Sequence, residues 1–189
     1  MKVGVLALQG AFLEHQNMLA GLHVQTIDVR LPEHLDKIDG LIIPGGESTT
    51  IGKLADAYDL IGSIQAFAKN RPVWGTCAGM IFMAKKIDHA NQQLLKIMDI
   101  QVQRNAFGRQ VDSFVTSLDI PEMDGSQFPG IFIRAPAVVD YGPNIQILSC
   151  LSDGKIVAVR ENRMLATAFH PELTDDNRFH QFFLDMIDS

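Results

Sequence analysis

Cysteine is scarce: Cys77 and Cys150 are the two in 189 residues. Two thiols are far too few for a disulfide scaffold, and a reducing, cytoplasmic compartment is the expectation. Basic charge is short as well. Sixteen Lys and Arg against 22 Asp and Glu give a formal net charge of −6, and no basic run offsets it. That balance argues against a nucleic-acid partner. Long apolar runs are missing too. Met1 to Leu8 carries one charge and a stretch too short to span a bilayer, and Gln9-Gly10 makes no convincing signal-peptidase site. No membrane association is expected. No spacing of His, Cys and carboxylates matches a metal site, and Gly45-Gly46-Glu47-Ser48-Thr49-Thr50 lacks the lysine of a phosphate-binding loop. Neither a metal nor a cofactor is expected. Repeats, low-complexity segments and linkers are absent, so residues 1–189 read as a single domain.

What is present has the balance of a soluble globular protein, with 47% hydrophobic and 20% charged residues. Val3–Gln9, Val24–Val29, Gly40–Pro44 and Pro72–Gly75 read as strands. Between them, Phe12–Leu22 and the stretch from Thr50 to Lys69 carry helical spacing, and Ala78–Lys86 reads as a further helix. Such alternation implies a mostly parallel sheet with helices on both faces, a three-layer α/β sandwich. The second half differs. Short strands are expected at Ile100–Gln103, Ser113–Leu118, Ile131–Ile133, Ala137–Val139, Ile145–Leu148, Ile156–Val159 and Met164–Ala168, forming an antiparallel extension. An amphipathic helix over Thr174–Ile187 closes the chain.

Cys77 sits between Gly75 and Gly79, at the junction of a strand and a helix. This is the arrangement of a nucleophile elbow with cysteine in place of serine. The sharp turn exposes the nucleophile, the glycines relieve Cβ clashes, and the helix N-terminus favours an anionic sulfur. A thiol nucleophile needs a base, and the base needs an orienting group. Of six histidines, His170 alone has suitable surroundings, because Pro171 and Glu172 follow it. Proline biases His170 to an extended conformation, in which residues two apart share a side and His170 meets Glu172. The other histidines read as surface or loop residues, and Cys150 as a core residue. An oxyanion hole is expected where the Pro44-Gly45-Gly46-Glu47-Ser48 turn reaches the same sheet edge, with the Gly46 and Ala78 N–H groups as donors. Taken alone, that turn has a plainer reading, in which Ser48 caps the next helix.

Gly75-Thr76-Cys77-Ala78-Gly79 with the late His170-Pro171-Glu172 resembles the class I, triad-type glutamine amidotransferases. Four further segments resemble, more narrowly, the glutaminase subunits of pyridoxal 5′-phosphate synthase. They are Gly4 to Ala11, Pro44 to Thr50, the run Arg104-Asn105-Ala106-Phe107-Gly108-Arg109-Gln110 continuing to Phe114, and Phe132-Ile133-Arg134-Ala135-Pro136. The resemblance implies a flavodoxin-like fold and hydrolysis of L-glutamine to glutamate and ammonia by Cys77, His170 and Glu172. It implies substrate contacts from Gly46, Glu47, Ser48, Arg104, Ile133 and Arg134, and an arginine fork suits the substrate carboxylate. It also implies delivery of ammonia to a separate (β/α)8-barrel synthase subunit, in a complex of twelve copies of each. Gln9 and Gly10 would lie at that interface, close to the oxyanion turn, although a simple strand-end turn explains them equally well. Three rival readings share parts of these motifs: a glutaminase serving another synthase, a non-catalytic scaffold, and a free-standing cysteine hydrolase.

Overall fold

Val3, Leu41, Val73 and Leu165 are without solvent exposure, each in a short strand buried along nearly its whole length. Strands covered on both faces belong in the middle of a layered sheet. The structure, a computed structural model, describes residues 1–89, 91–108, 112–123, 125 and 127–189. In chain order it contains β1 (Lys2–Leu6), α1 (Phe12–Gly21), β2 (Gln25–Val29), β3 (Gly40–Ile43), α2 (Ser48–Ala57), α3 (Leu60–Ala68), β4 (Val73–Thr76) and α4 (Ala78–Met83). There follow β5 (Ala84–Ile87), β6 (Met98–Gln103), β7 (Ser113–Leu118), β8 (Phe128–Ile133), β9 (Ala137–Tyr141), β10 (Gln146–Cys150), β11 (Ile156–Glu161), β12 (Met164–Thr167) and α5 (Arg178–Asp188).

The main sheet runs in the order β2-β1-β3-β4-β12-β11-β9-β6-β5, with β10 paired to β11. From β2 to β12 every pairing is parallel. Beyond β12 the sheet turns antiparallel through β11, β9 and β6, and β7 and β8 form a separate antiparallel pair. This is an α/β fold with a mostly parallel core and an antiparallel extension. Successive strand residues face opposite sides, and β4 shows what covers each. Trp74 packs against Phe179 and Phe183 of α5 and His15 of α1, with ring centroids 6.1, 5.7 and 5.5 Å away. A Cβ at Gly75 would meet Gly79 and Met83 of α4 on the other face. Among the described residues no helix is long and apolar enough to cross a membrane.

Several boundaries differ from the sequence expectation. The helical spacing from Thr50 to Lys69 belongs to two helices, α2 and α3, broken at Asp59, whose φ of 57° is left-handed. Helix α2 buries Ile51 and Ala55 and helix α3 buries Leu60 and Ile64, while Tyr58 at the joint is exposed. Helix α4 stops at Met83 because Ala84 turns extended and Ala84–Ile87 pairs with β6 instead. The last helix begins at Arg178 rather than Thr174. Thr174 Oγ1 accepts from the Asp176 N–H at 3.1 Å and Asp176 Oδ1 from the Arg178 N–H at 3.1 Å. Such local side-chain bonds compete with helix formation.

Candidate active site

Strands β4 and β12 run parallel with Thr76 opposite Thr167, so their C-terminal ends stop at one level. Cys77 follows directly, and its N–H donates to the Thr167 carbonyl at 2.8 Å. Its backbone has φ 48° and ψ −103°, a conformation a non-glycine residue adopts only where surrounding structure enforces it. That enforcement is visible at Gly79, where an added Cβ would stand 2.1 Å from the Ile43 carbonyl oxygen. The elbow therefore depends on a missing side chain at Gly79. Cys77 is nearly buried, and its Sγ points to the Ile133 carbonyl at 3.9 Å.

His170 lies three residues beyond β12, its N–H donating to the Ile131 carbonyl at 2.8 Å. Its Nδ1 is 2.7 Å from Glu172 Oε1. The contact forms through a single 3-10 turn, Pro171–Leu173, and not through the extended segment the proline suggested. Both residues are buried, at 7% and 5% exposure. Burial pulls the His170 imidazole down, but the adjoining Cys77 and Glu172 side chains outweigh it and raise it to about 10. Burial pushes the Glu172 carboxyl up, while His15 and His170 hold it below the ordinary carboxylate range. The arrangement thus favours an imidazolium between a sulfur and a carboxylate.

The glycine turn after β3 faces the same cleft. Gly10, with φ 102°, lets the Ala11 N–H reach the Gly45 carbonyl at 3.0 Å, and a Cβ at Gly10 would fall 1.9 Å from that oxygen. In a trans peptide the N–H points opposite to the C=O, so this bond sets the direction of the Gly46 N–H. Gln9 Oε1 accepts the next N–H, that of Glu47, at 2.7 Å. It is Glu47, not Ser48, that caps α2, accepting from the Thr49 and Thr50 N–H groups at 3.3 and 2.7 Å. Burial pushes the Glu47 carboxyl up, but its hydrogen bonds from Thr49 and Thr50 prevail and bring it to about 2.

A cleft of about 410 Å³ collects Gln9, Gly46, Glu47, Ser48, Cys77, Ala78, Arg104, Ile133, Arg134 and His170, together with Ile81 and Asn105. Glu172 stands behind His170, and Gly10 behind the glycine turn. Arg104 Nη2 lies 3.3 Å from Glu47 Oε1. Arg109 and Gln110 of the arginine-rich motif, with Val111 after them, lie outside the described residues.

Two readings need correction, and one site residue went unread. Gln92, unremarked in the sequence, accepts from Ser48 Oγ at 3.2 Å and Arg104 Nη1 at 3.3 Å through its Oε1. No spacing in the sequence announces it, because its segment lies in an irregular stretch between β5 and β6. His15 and His180, read as surface or loop residues, have no exposed surface at all. Cys150, read as a core residue, ends β10 exposed.

An elbow cysteine beside a buried His-Glu pair at the edge of a parallel sheet is the arrangement of a thiol hydrolase. The chain belongs to the SNO glutamine amidotransferase family, whose profile matches residues 5–189. It is 56% identical over 190 residues to the pyridoxal 5′-phosphate synthase subunit PdxT of Herpetosiphon aurantiacus, covering 98% of this chain and all of that one. It is likewise 56% identical over 189 residues to the PdxT subunit of Dehalococcoides mccartyi, covering 98% and 97% of the two chains. A crystal structure of a glutamine amidotransferase, 44% identical, matches with a TM-score of 0.94 over 99% of each chain.

Proposed function

We propose that this chain, acting as one glutaminase domain, hydrolyses L-glutamine as the ammonia-supplying subunit of a pyridoxal 5′-phosphate synthase. The observation that carries the reading is one cleft lined by Cys77, His170, Gly46, Arg104 and Arg134, with Glu172 buried behind it on His170 Nδ1. The near full-length likeness to PdxT subunits supports the choice of synthase.

In this reading His170, oriented by Glu172 on Nδ1, takes the Cys77 thiol proton. The sulfur attacks the side-chain amide carbon, and the carbonyl electrons move to an oxyanion held by the Gly46 and Ala78 N–H groups. His170 returns the proton to the amide nitrogen, the C–N bond breaks, and ammonia leaves a γ-glutamyl thioester. Water then attacks the thioester carbon while His170 takes its proton. Collapse releases glutamate and returns the proton to sulfur. Arg104 and Arg134 pair with the substrate α-carboxylate, and Glu47, Ser48 and the Ile133 backbone supply further contacts. Gln9 and Gly10 govern the oxyanion turn through the Glu47 N–H and the Gly45 carbonyl. Docking of the (β/α)8-barrel synthase against that loop, in a cytoplasmic complex of twelve copies of each subunit, sets the turn for catalysis.

The test is glutamate release from L-glutamine by the chain alone and with a purified synthase subunit, with Cys77→Ala as control. Release that rises strongly with the synthase and vanishes in the variant is expected. Equal release with and without the synthase would sink the partner-dependent reading.

A further inference from the structure

Behind Glu172 lies a second pair of buried imidazoles that the proposed chemistry does not use. Helix α1 packs on the Pro171–Leu173 turn and carries His15 into the interior, where His180 of α5 meets it. His15 Nδ1 is 3.0 Å from His180 Nε2. His15 Nε2 is 3.2 Å from Thr76 Oγ1 and 3.5 Å from Glu172 Oε2. That carboxylate oxygen is the one His170 leaves free, and among the described residues it has no hydrogen-bond partner.

A neutral imidazole has one N–H and one lone pair, so the two rings allow two proton arrangements. If His15 carried its proton on Nδ1, its Nε2 lone pair would face the Glu172 carboxylate, and the His180 Nδ1–H would be a buried donor without an acceptor among the described residues. If His180 donates from Nε2 to His15 Nδ1, the His15 Nε2–H faces Thr76 and Glu172, and only an acceptor on His180 is left over. The second arrangement costs less. At 3.5 Å the approach to Glu172 is longer than a hydrogen bond and acts as a dipole aimed at a buried charge.

Resting on the glutaminase reading above, we infer that His15 is a positioning residue of the triad. Oriented by His180 and Thr76, it presents an N–H to the second oxygen of Glu172 and fixes the carboxylate that orients His170. The charge states agree with this role. Burial is the largest influence on His15 and lowers it, Glu172 and more weakly Glu14 oppose, and His170 adds to the lowering. Burial likewise holds His180 well below the ordinary value. A neutral His15 adds a donor without a second cation to compete with the His170 imidazolium.

The experiment compares wild type, His15→Phe and His15→Gln in two assays. The first is steady-state glutamate release with the synthase subunit present. The second is the rate of Cys77 alkylation by iodoacetamide from pH 5 to 10, which requires no glutaminase activity. Phenylalanine keeps the ring volume and removes both nitrogens, whereas glutamine can accept from His180 and donate to Glu172. His15→Phe is expected to lower kcat about tenfold to a hundredfold with little change in KM. It should also slow alkylation several-fold at pH 6 while leaving the rate at pH 10 unchanged. His15→Gln is expected to recover most of both. Wild-type kcat and alkylation profile in His15→Phe would overturn the inference, as would equal impairment in Phe and Gln variants, which signals packing alone. If His15→Phe does not fold by circular dichroism, His15→Leu takes its place under the same criteria. Absence of glutamate release by wild type would instead strike the glutaminase reading, and the alkylation profile would still decide the role of His15.

Discussion

Thr76 and Thr167 are register partners in adjacent parallel strands, and the Thr167 carbonyl accepts the N–H of Cys77 at 2.8 Å. This one alignment brings a nucleophile from mid-chain and a base from its far end to the same sheet edge. The Trp74 indole N–H donates to Thr167 Oγ1 at 3.2 Å, tying the pair to the core beneath.

Cys77→Ala should abolish synthase-stimulated glutamate release, by at least about a thousandfold, because no other group can form the thioester. The fold should survive, since the change removes one sulfur from a nearly buried site that borders the open cleft. Comparing circular dichroism spectra and glutamate release checks both halves.

Gly10→Ala should lower kcat by about a hundredfold or more while the protein remains folded. A methyl group there meets the Gly45 carbonyl, at a backbone angle that alanine resists. The turn that carries the Gly46 N–H must move. Glutamate release with the synthase present measures the loss, and near-normal kcat would remove the oxyanion role of this loop.

Gln92→Ala should raise the KM for glutamine several-fold and leave kcat nearly unchanged. Its Oε1 holds Ser48 and Arg104 together, so its loss loosens substrate binding without touching the Cys77 chemistry. Arg104→Ala should raise KM further, by about tenfold or more, because a charge-assisted contact to the substrate carboxylate disappears. Steady-state kinetics on the two variants gives the order.

His170 binds its proton more tightly in the folded chain than the ordinary 6.5 allows, to about 10. Its contribution to stability is therefore complete below pH 6.5 and is lost as pH rises through about 10. The urea midpoint of wild type should fall across that window, and the fall should be smaller in His170→Gln, which has nothing to titrate there. Parallel slopes in the two proteins would contradict the raised value.

Phe183→Ala should destabilise the chain by about 3–5 kcal/mol. Phe183 is fully buried, its ring 5.7 Å from that of Trp74, and it closes over Gly40. Denaturant unfolding of the variant measures the cost, and glutaminase activity below its transition should persist.

Local chemistry was legible in the amino-acid order alone. The glycines around Cys77, the His170-Pro171-Glu172 run and the Gly45-Gly46 turn act through neighbouring backbone, where steric limits and short spacing decide the outcome. The apolar strands of the first half likewise announced a parallel core, because burial on both faces demands apolar residues throughout. Tertiary structure decided the rest. His15 and His180 meet across 165 residues of sequence, and a histidine in an amphipathic helix carries no mark of what it will touch. The early end of α4 likewise depended on another element, because Ala84–Ile87 pairs with β6. Periodicity reports which face of an element is apolar, whereas contact between distant elements depends on how the sheet is ordered and how its helices pack upon it.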